Sequence, residues 1–253
     1  MTKRSYRRRL GQHFLKSRYF AKKIVDFADV SDEVVLEIGA GKGVLTQFIA
    51  SAARKVFAVE MDGKLAEILG EKAFPNVSVI NKNFLDLSLS EYGQLVVVGN
   101  IPYSITSEIL KKLIKERRLI KRAVLTIQKE YGQRIFARPG SREYGATTLF
   151  ITYCFNGEKG FTIPPRFFSP PPKVSSVVIS LKKRKPLIRL NDEEDFFEFV
   201  KGIFRYRRKS IKNCIVHYFK NPPRGLNSRL LQRRPAELTL EDFYQLYRKF
   251  KEF

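Results

Sequence analysis

Five short, almost wholly apolar runs recur through the first half of the chain: VVLEI (34–38), KVFAVE (55–60), VSVI (77–80), LVVVG (95–99) and AVLTIQ (123–128). A strand that alternates apolar and polar residues can leave one face in water. A strand apolar on both faces must be covered on both, and helices in the connections are the cover that a parallel sheet uses. The pattern therefore predicts an α/β fold with a doubly wound, Rossmann-like parallel sheet. Its helices are expected in SRYFAKKIVDFADV, where Tyr19, Phe20, Ile24 and Phe27 come close to helical spacing, from the glycine turn after Ile38 to about Ala53, in GKLAEILGEKAF, and after Tyr103.

From about residue 157 the texture changes. GFTIPPRFFSPPPKVSSVVISL carries five prolines between Pro164 and Pro172, with a β-prone run on either side. Proline cannot donate within a sheet, so this stretch reads as a hairpin-like edge pair joined by a stiff loop. KKRKPLIR (182–189) looks like a boundary. Beyond it, Phe196, Phe197, Val200, Ile203 and Phe204 have helical spacing behind an acidic first turn, and ELTLEDFYQLYRKF resembles a last helix. The expected domains are an α/β domain over 1–183 and a small, basic, all-helical domain over 184–253. No internal repeat is visible.

Hydrophobic residues make up 43% of the 253, enough for a sizeable core. The largest compositional signal is charge: 48 Lys and Arg against 25 Asp and Glu, formally +23. Heat-adapted surfaces add both signs in comparable numbers. A one-sided excess points to a polyanion, because each phosphate neutralised releases condensed counterions. Nucleic acid is the expected partner. The basic N-terminus has no apolar segment of secretory length, and no stretch approaches the roughly 20 apolar residues of a membrane span. Cys154 and Cys214 are isolated among apolar or aromatic neighbours, and the two histidines, His13 and His217, are far apart. Reduced cysteines, a cytoplasmic location, no metal and no membrane are expected.

LEIGAGKG places Gly39, Gly41 and Gly43 directly after the first strand. Glycine there lets the backbone approach a ligand closely at the open end of the next helix. The second strand ends in Glu60, where a carboxylate can accept from both ribose hydroxyls. The dinucleotide fingerprint is incomplete, since position 44 is Val, and the phosphate-binding loop GxxxxGK[ST] is absent. E-x-G-x-G-x-G without the last dinucleotide glycine suits S-adenosylmethionine, whose methionine tail needs no diphosphate cradle. After the third strand, Asn83 could accept from the adenine amine and Phe84 could cover the ring, with Asp86 as the alternative carboxylate.

The fourth strand runs into Asn100-Ile101-Pro102-Tyr103. At the carboxyl end of such a strand a residue points into the ligand crevice. The exocyclic nitrogen of adenine is a poor nucleophile because its lone pair is delocalised into the ring. If the Asn100 oxygen and the Ile101 or Pro102 carbonyl both accept from that amine, the lone pair is held for in-line attack on a sulfonium methyl. Proline brings no competing N–H, and Tyr103 offers a face to an unstacked base, worth about 1–3 kcal/mol. No carboxylate base is needed, and catalysis comes from orientation and electrostatic fit.

GQHFL, LEIGAGKGVLT, VFAVEMD, GNIPYSI and FFSPPPKVSSVV follow the order and spacing of one family. From about residue 8 to the last helices, the chain strongly resembles the KsgA-type ribosomal RNA small-subunit adenine N6,N6-dimethyltransferases. The resemblance implies S-adenosyl-L-methionine as donor. It also implies dimethylation of two adjacent adenines in the loop of the hairpin near the 3′ end of 16S rRNA, during small ribosomal subunit biogenesis. It makes His13 and Leu15 part of the cofactor cover, Gly39 and Gly41 the loop contact, Glu60 the ribose acceptor with Met61 beside it, and Asn83 and Phe84 the adenine holders. Asn100 through Tyr103 would take the target amine, and Phe168 would be the second aromatic around the flipped base. The family's GQNFL has Asn where this chain has His13, and an acid usually stands at position 83.

The candidates for holding the RNA backbone are Arg7, Arg8 and Arg9; Lys111, Lys112, Lys115 and Arg118 of KKLIKERRLIKR; Arg205, Arg207 and Arg208; and Arg233 and Arg234. The run at 111–122 fits a solvated helix face equally well. The partner is then 16S rRNA in the immature small subunit, and a monomer is expected. Two rival readings are a large-subunit rRNA adenine methyltransferase of the macrolide-resistance kind and a non-catalytic assembly factor.

Overall fold

The structure is a computed structural model that describes residues 12–218 and 228–251. These residues form two compact units, 12–132 with 156–183, and 133–155 with 184–218 and 228–251. One division falls at 183/184. The segment 133–155, which sequence texture groups with the α/β part, lies in the second unit.

In chain order the elements up to the last strand are β1 (Phe14–Leu15), α1 (Arg18–Ala28), β2 (Val34–Ile38), α2 (Thr46–Ala50), β3 (Lys55–Val59), α3 (Gly63–Gly70), β4 (Val77–Ile80), β5 (Leu95–Asn100), α4 (Thr106–Lys115), β6 (Ile120–Gln128), α5 (Lys129–Ile135), α6 (Ala146–Cys154), β7 (Phe155–Ile163), β8 (Phe168–Ser169) and β9 (Ser176–Lys183). Seven strands make one sheet in the order β4-β3-β2-β5-β6-β9-β7. The five apolar runs are β2 to β6, and they pair in parallel. Each is short and rich in Val, Ile and Leu, as a strand buried on both faces requires.

The sheet is mixed rather than wholly parallel, because β9 runs antiparallel to β6, with Arg122 opposite Lys182 and Gln128 opposite Ser176. β7 and β9, the runs read as an edge pair, are indeed neighbours. The proline stretch between them is more than a stiff loop. Its Phe168–Ser169 forms a two-stranded antiparallel pair with Phe14–Leu15. The helix after the glycine turn ends at Ala50, short of Ala53.

In α1 the buried face is Ala21, Ile24, Val25 and Ala28, while Tyr19 is 68% exposed and Phe20 and Phe27 are half-buried. Two overlapping i, i+4, i+7 series run through this helix. Packing against the sheet selects the one that begins with a small residue, which lets the backbone sit closer. Its core partners include Val35, Val56, Val96 and Val178.

The second unit is built on aromatic contacts. The helices that follow β9 are α7 (Glu193–Phe204), α8 (Ile211–Tyr218), α9 (Ser228–Gln232) and α10 (Leu240–Lys251). Phe196, Phe199, Val200 and Ile203 of α7 are buried, whereas Phe197 and Phe204 are half-buried. Segment 133–155 joins them through Phe150 against Phe197 (centroids 4.4 Å) and through the Tyr144 and Tyr153 hydroxyls, which donate to the Leu238 carbonyl and to Glu193, each at 2.8 Å. Tyr144 and Tyr153 are themselves almost fully buried, so their hydroxyls need these partners. Cys154 and Cys214 are buried free thiols. Among the described residues no helix is long and apolar enough to cross a membrane, and no three metal-ligating side chains cluster.

Candidate active site

Strand order reverses between β3 and β5, on the two sides of β2, so a crevice opens at the carboxyl ends of these strands. Gly39 follows β2 and Asn100 ends β5; with Ile38 paired to Gly99, they are brought side by side. A Cβ added at Gly39 would lie 3.8 Å from the Asn100 carbonyl oxygen. Gly39, Gly41 and Gly43 all have positive φ, +70°, +57° and +79°, the left-handed region that side-chain-bearing residues avoid. At Gly43 a Cβ would also meet Leu69 at 2.6 Å. The turn is therefore glycine for backbone reasons first, and the bare peptide it leaves in the crevice is the consequence.

Two buried acids brace this turn. Glu60, 2% exposed just beyond β3, accepts from the Gly41 N–H at 2.8 Å and from the Asp62 N–H at 2.9 Å. A carboxylate has about four acceptor positions, so two remain for a ligand. Glu37, inside β2, accepts from the Thr46 hydroxyl at 2.6 Å, tying the strand to the first turn of α2. Burial pushes its carboxyl up to about 7; the Thr46 bond opposes the rise and the Glu60 charge adds to it.

In an unfolded chain the Glu37 carboxyl titrates near 4.5. Between that value and about 7 the folded protein keeps a proton that the unfolded chain has released. Stability therefore falls as pH rises through this window, and the loss is complete above it. Glu37→Gln keeps an acceptor for Thr46 and removes the titration. It is expected to flatten the decline by up to about 3 kcal/mol above neutral pH. Denaturation free energies measured across the window check this, and equal slopes in variant and parent would refute it.

The Asn-Ile-Pro-Tyr corner is held from two distant segments. The Asn100 amide nitrogen donates to the His13 carbonyl at 2.7 Å, which leaves the side-chain oxygen as the acceptor of the pair. The His13 ring stands 5.5 Å from the Tyr103 ring, and its Nδ1–H donates to the Pro170 carbonyl at 2.7 Å. The Tyr103 hydroxyl bonds the Ser176 hydroxyl at 2.8 Å. Burial raises the Tyr103 phenol above its usual range and the Ser176 bond opposes the rise, so the ring is neutral at physiological pH. Ile101 donates its N–H to the Thr126 carbonyl. The Pro102 carbonyl already accepts from the Ile105 N–H at 3.2 Å, and the Thr106 hydroxyl lies within reach of both the Pro102 and Tyr103 carbonyls, at 3.4 and 3.3 Å.

One cleft is lined by His13, Gly39, Glu60, Asn100, Ile101, Pro102, Tyr103 and Phe168, all expected from sequence, together with Gln12 and Phe14. Phe168 is a wall rather than a free ring, 1% exposed and packed in the core with Leu15. Leu15, Gly41, Met61, Asn83 and Phe84 lie outside this lining. Leu15 is core, Met61 is 47% exposed, and Phe84 is buried. Asn83 caps a short turn, its oxygen accepting from the Leu85 N–H at 3.1 Å.

Three contributors have no role assigned by the sequence pattern. Phe14 sets its ring over Gly41, where a Cβ would come within 3.2 Å, and lies inside the GQHFL motif. Ser176, the anchor of Tyr103, lies inside PPPKVSSVV. Asn81 donates to the Glu60 carbonyl at 2.9 Å and joins the ends of β3 and β4; no sequence signal marks it.

The predicted RNA contacts are divided. Arg7, Arg8 and Arg9 lie outside the described residues. Lys112 is engaged inside the protein, with Glu116 at 2.6 Å and with the Leu87 carbonyl, and its side chain is 12% exposed. Arg233 pairs with Asp242 at 3.0 Å and donates to the Glu237 carbonyl. Neither is a free cation, because each holds its own fold together. Lys111, Lys115, Arg118, Arg205, Arg207, Arg208 and Arg234 are exposed.

A crevice with bare peptide on one wall and a buried carboxylate with lone pairs to spare on the next suits a nucleoside. That places the protein in the class of S-adenosylmethionine-dependent methyltransferases with a Rossmann-like fold. More narrowly, the chain belongs to the ribosomal RNA adenine dimethylase family, whose profile matches residues 3–252. It is 38% identical over 263 residues to the ribosomal RNA small subunit methyltransferase A of Bacillus mycoides, covering 96% of this chain and 90% of the relative. Among solved structures, a dimethyladenosine transferase from Plasmodium falciparum superposes with a TM-score of 0.83 at 25% identity, covering 95% of this chain and 98% of that one. The 23S rRNA methyltransferase ErmE superposes with a TM-score of 0.74 at 29% identity, covering 94% and 99%.

Proposed function

We propose that the protein transfers methyl groups from S-adenosylmethionine to N6 of two adjacent adenines in the loop of the hairpin near the 3′ end of small-subunit rRNA, giving N6,N6-dimethyladenines. The observation that carries the reading is the fixed orientation of the Asn100 amide. Its nitrogen is taken by the His13 carbonyl, so its oxygen is left to accept an N–H from the adenine amine. The Pro102 carbonyl already accepts from the Ile105 N–H, which favours the Ile101 carbonyl as the second acceptor. Two acceptors on the two hydrogens of the amine leave its lone pair directed away from both. Tyr103, pinned by Ser176, supplies the stacking face, and Phe168 also lines the cleft.

The bound donor supplies an electrophilic methyl group on a sulfonium. Glu60 holds the ribose with its two remaining acceptor positions, and the glycine turn gives the cofactor its backbone wall. Met61, Asn83 and Phe84, outside the cleft lining, form the adenine side of that cofactor site. No side chain near the amine need serve as base, since the methylated nitrogen is strongly acidic and loses its proton to water. Catalysis is positional and electrostatic.

The small-subunit target is supported by the 38% identical small-subunit relative. The test is to incubate the protein with labelled donor and either small subunits lacking the modification or large-subunit RNA. Label in two adjacent adenines of the small-subunit rRNA is expected. Label in the large-subunit RNA would overturn the target, and no label in either would overturn the enzyme reading.

A further inference from the structure

We propose that the outer face of α1, with the Pro164–Phe167 turn beside it, is a docking surface for the single-stranded rRNA segment that flanks the target adenine, and that Tyr19 is its stacking platform. This rests on the rRNA reading above. Lys16, Arg18, Lys23 and Arg166 are exposed there, and none has a carboxylate partner among the described residues. The neighbouring Lys22 does, bonding Asp26 at 2.7 Å.

Between these cations the surface is aromatic. Tyr19 is 68% exposed, and its ring stands at 75° to that of Phe20 with centroids 5.2 Å apart, so most of the ring is presented to solvent. The helix does not need it for packing, because the buried stripe of α1 is Ala21, Ile24, Val25 and Ala28. Phe20 meets Phe167 at 4.8 Å, and Lys23 and Arg166 sit over the half-buried rings of Phe161 and Phe167 at 4.4 and 4.9 Å. Cations interleaved with an open ring are what a protein offers to unpaired nucleotides: backbone phosphates meet the charges and a base lies on the ring, whatever its identity.

The placement ties this face to the chemistry. The Lys16 N–H donates to the Phe167 carbonyl at 2.8 Å, and the next residue, Phe168, is a wall of the cleft. The β1–β8 pair therefore joins this surface to the cleft, and we assign to it the path of the strand that delivers an extruded adenine to Asn100. Extruding a base costs a few kcal/mol, and contacts to its flanking nucleotides are where that energy can be recovered.

The experiment uses the full-length protein and small subunits lacking the modification, with the deproteinised rRNA in parallel. It compares Tyr19→Ala, Tyr19→Phe and the double variant Arg18→Gln/Arg166→Gln. Tyr19→Ala is expected to weaken RNA affinity, and to raise KM for the subunit, roughly 5- to 100-fold. Tyr19→Phe keeps the ring and should restore near-parental values. The double variant should flatten the slope of log affinity against log salt by about 0.7 for each single-stranded phosphate that is no longer neutralised. Donor affinity by calorimetry should stay parental in all three, which reports an intact cleft.

If all three variants bind and turn over RNA like the parent, with the same salt slope, the docking surface is wrong although the rRNA reading stands. If Tyr19→Ala weakens binding to intact subunits but not to the deproteinised rRNA, the partner is a ribosomal protein and the RNA assignment is overturned. If the parent itself neither binds nor labels small-subunit rRNA, both readings fall together.

Discussion

Asn100→Ala is expected to lower methyl transfer by about 10²–10³-fold, the usual loss when one preorganised polar group facing the reacting atoms is removed. Donor affinity should stay close to the parent's, because the amide oxygen serves the acceptor amine. The variant also loses the bond to the His13 carbonyl, so single-turnover rates must be read beside a calorimetric donor titration. A rate that falls with an unchanged donor Kd supports the amine-orienting role. A rate that stays near normal ends it. If rate and donor affinity fell together, the residue would be acting through the cleft's shape, by releasing the His13 segment from Tyr103 and Pro170.

Glu60→Gln should behave in the opposite way, weakening donor affinity roughly 10- to 100-fold while turnover at saturating donor falls far less. The carboxylate accepts from the Gly41 and Asp62 N–H groups, and hydrogen bonds to a charged group are worth about 1.5–3 kcal/mol each. Gln is the same size but has one neutral acceptor oxygen, so one of these backbone donors, or a ribose hydroxyl, must go unmatched. Calorimetry reads this directly. A donor Kd equal to the parent's, with turnover abolished, would move Glu60 from cofactor binding to the chemistry.

The two variants divide the cleft along its structural seam. Glu60 belongs to the β2–β3 side, where the glycine turn is. Asn100 belongs to the β5 side, where the N-terminal segment and the proline stretch converge. His13 links the second group, holding Asn100 with its carbonyl and Pro170 with its ring. An asparagine there has the same backbone carbonyl and an amide N–H for Pro170, so the ring contact to Tyr103 is what histidine adds.

Much of the fold was legible because its determinants are local. An apolar run long enough for a strand, a helical stripe and a glycine that must take positive φ are each written within a few residues. That is why β2 to β6 and the turn at Gly39–Gly43 coincide with the sequence pattern. Which residues line the cleft was partly legible for the same reason: Gly39, Glu60 and Asn100 come at strand ends, and the topology carries strand ends to one edge.

What the sequence could not decide were the choices between equal local patterns and the contacts across long separations. In α1 two stripes were available, and packing against the sheet chose the one that leaves Tyr19 outside. Lys112 and Arg233 looked like any other surface cations until the fold placed the Leu87 carbonyl and Asp242 against them. Asn100 and His13 are 87 residues apart, and Tyr103 and Ser176 are 73. Backbone dihedrals and apolar periodicity are set by near neighbours and can be read from a linear string. The orientation of an amide or a phenol is set by whichever donor or acceptor the folded chain brings within about 3 Å, and only the tertiary structure supplies that partner.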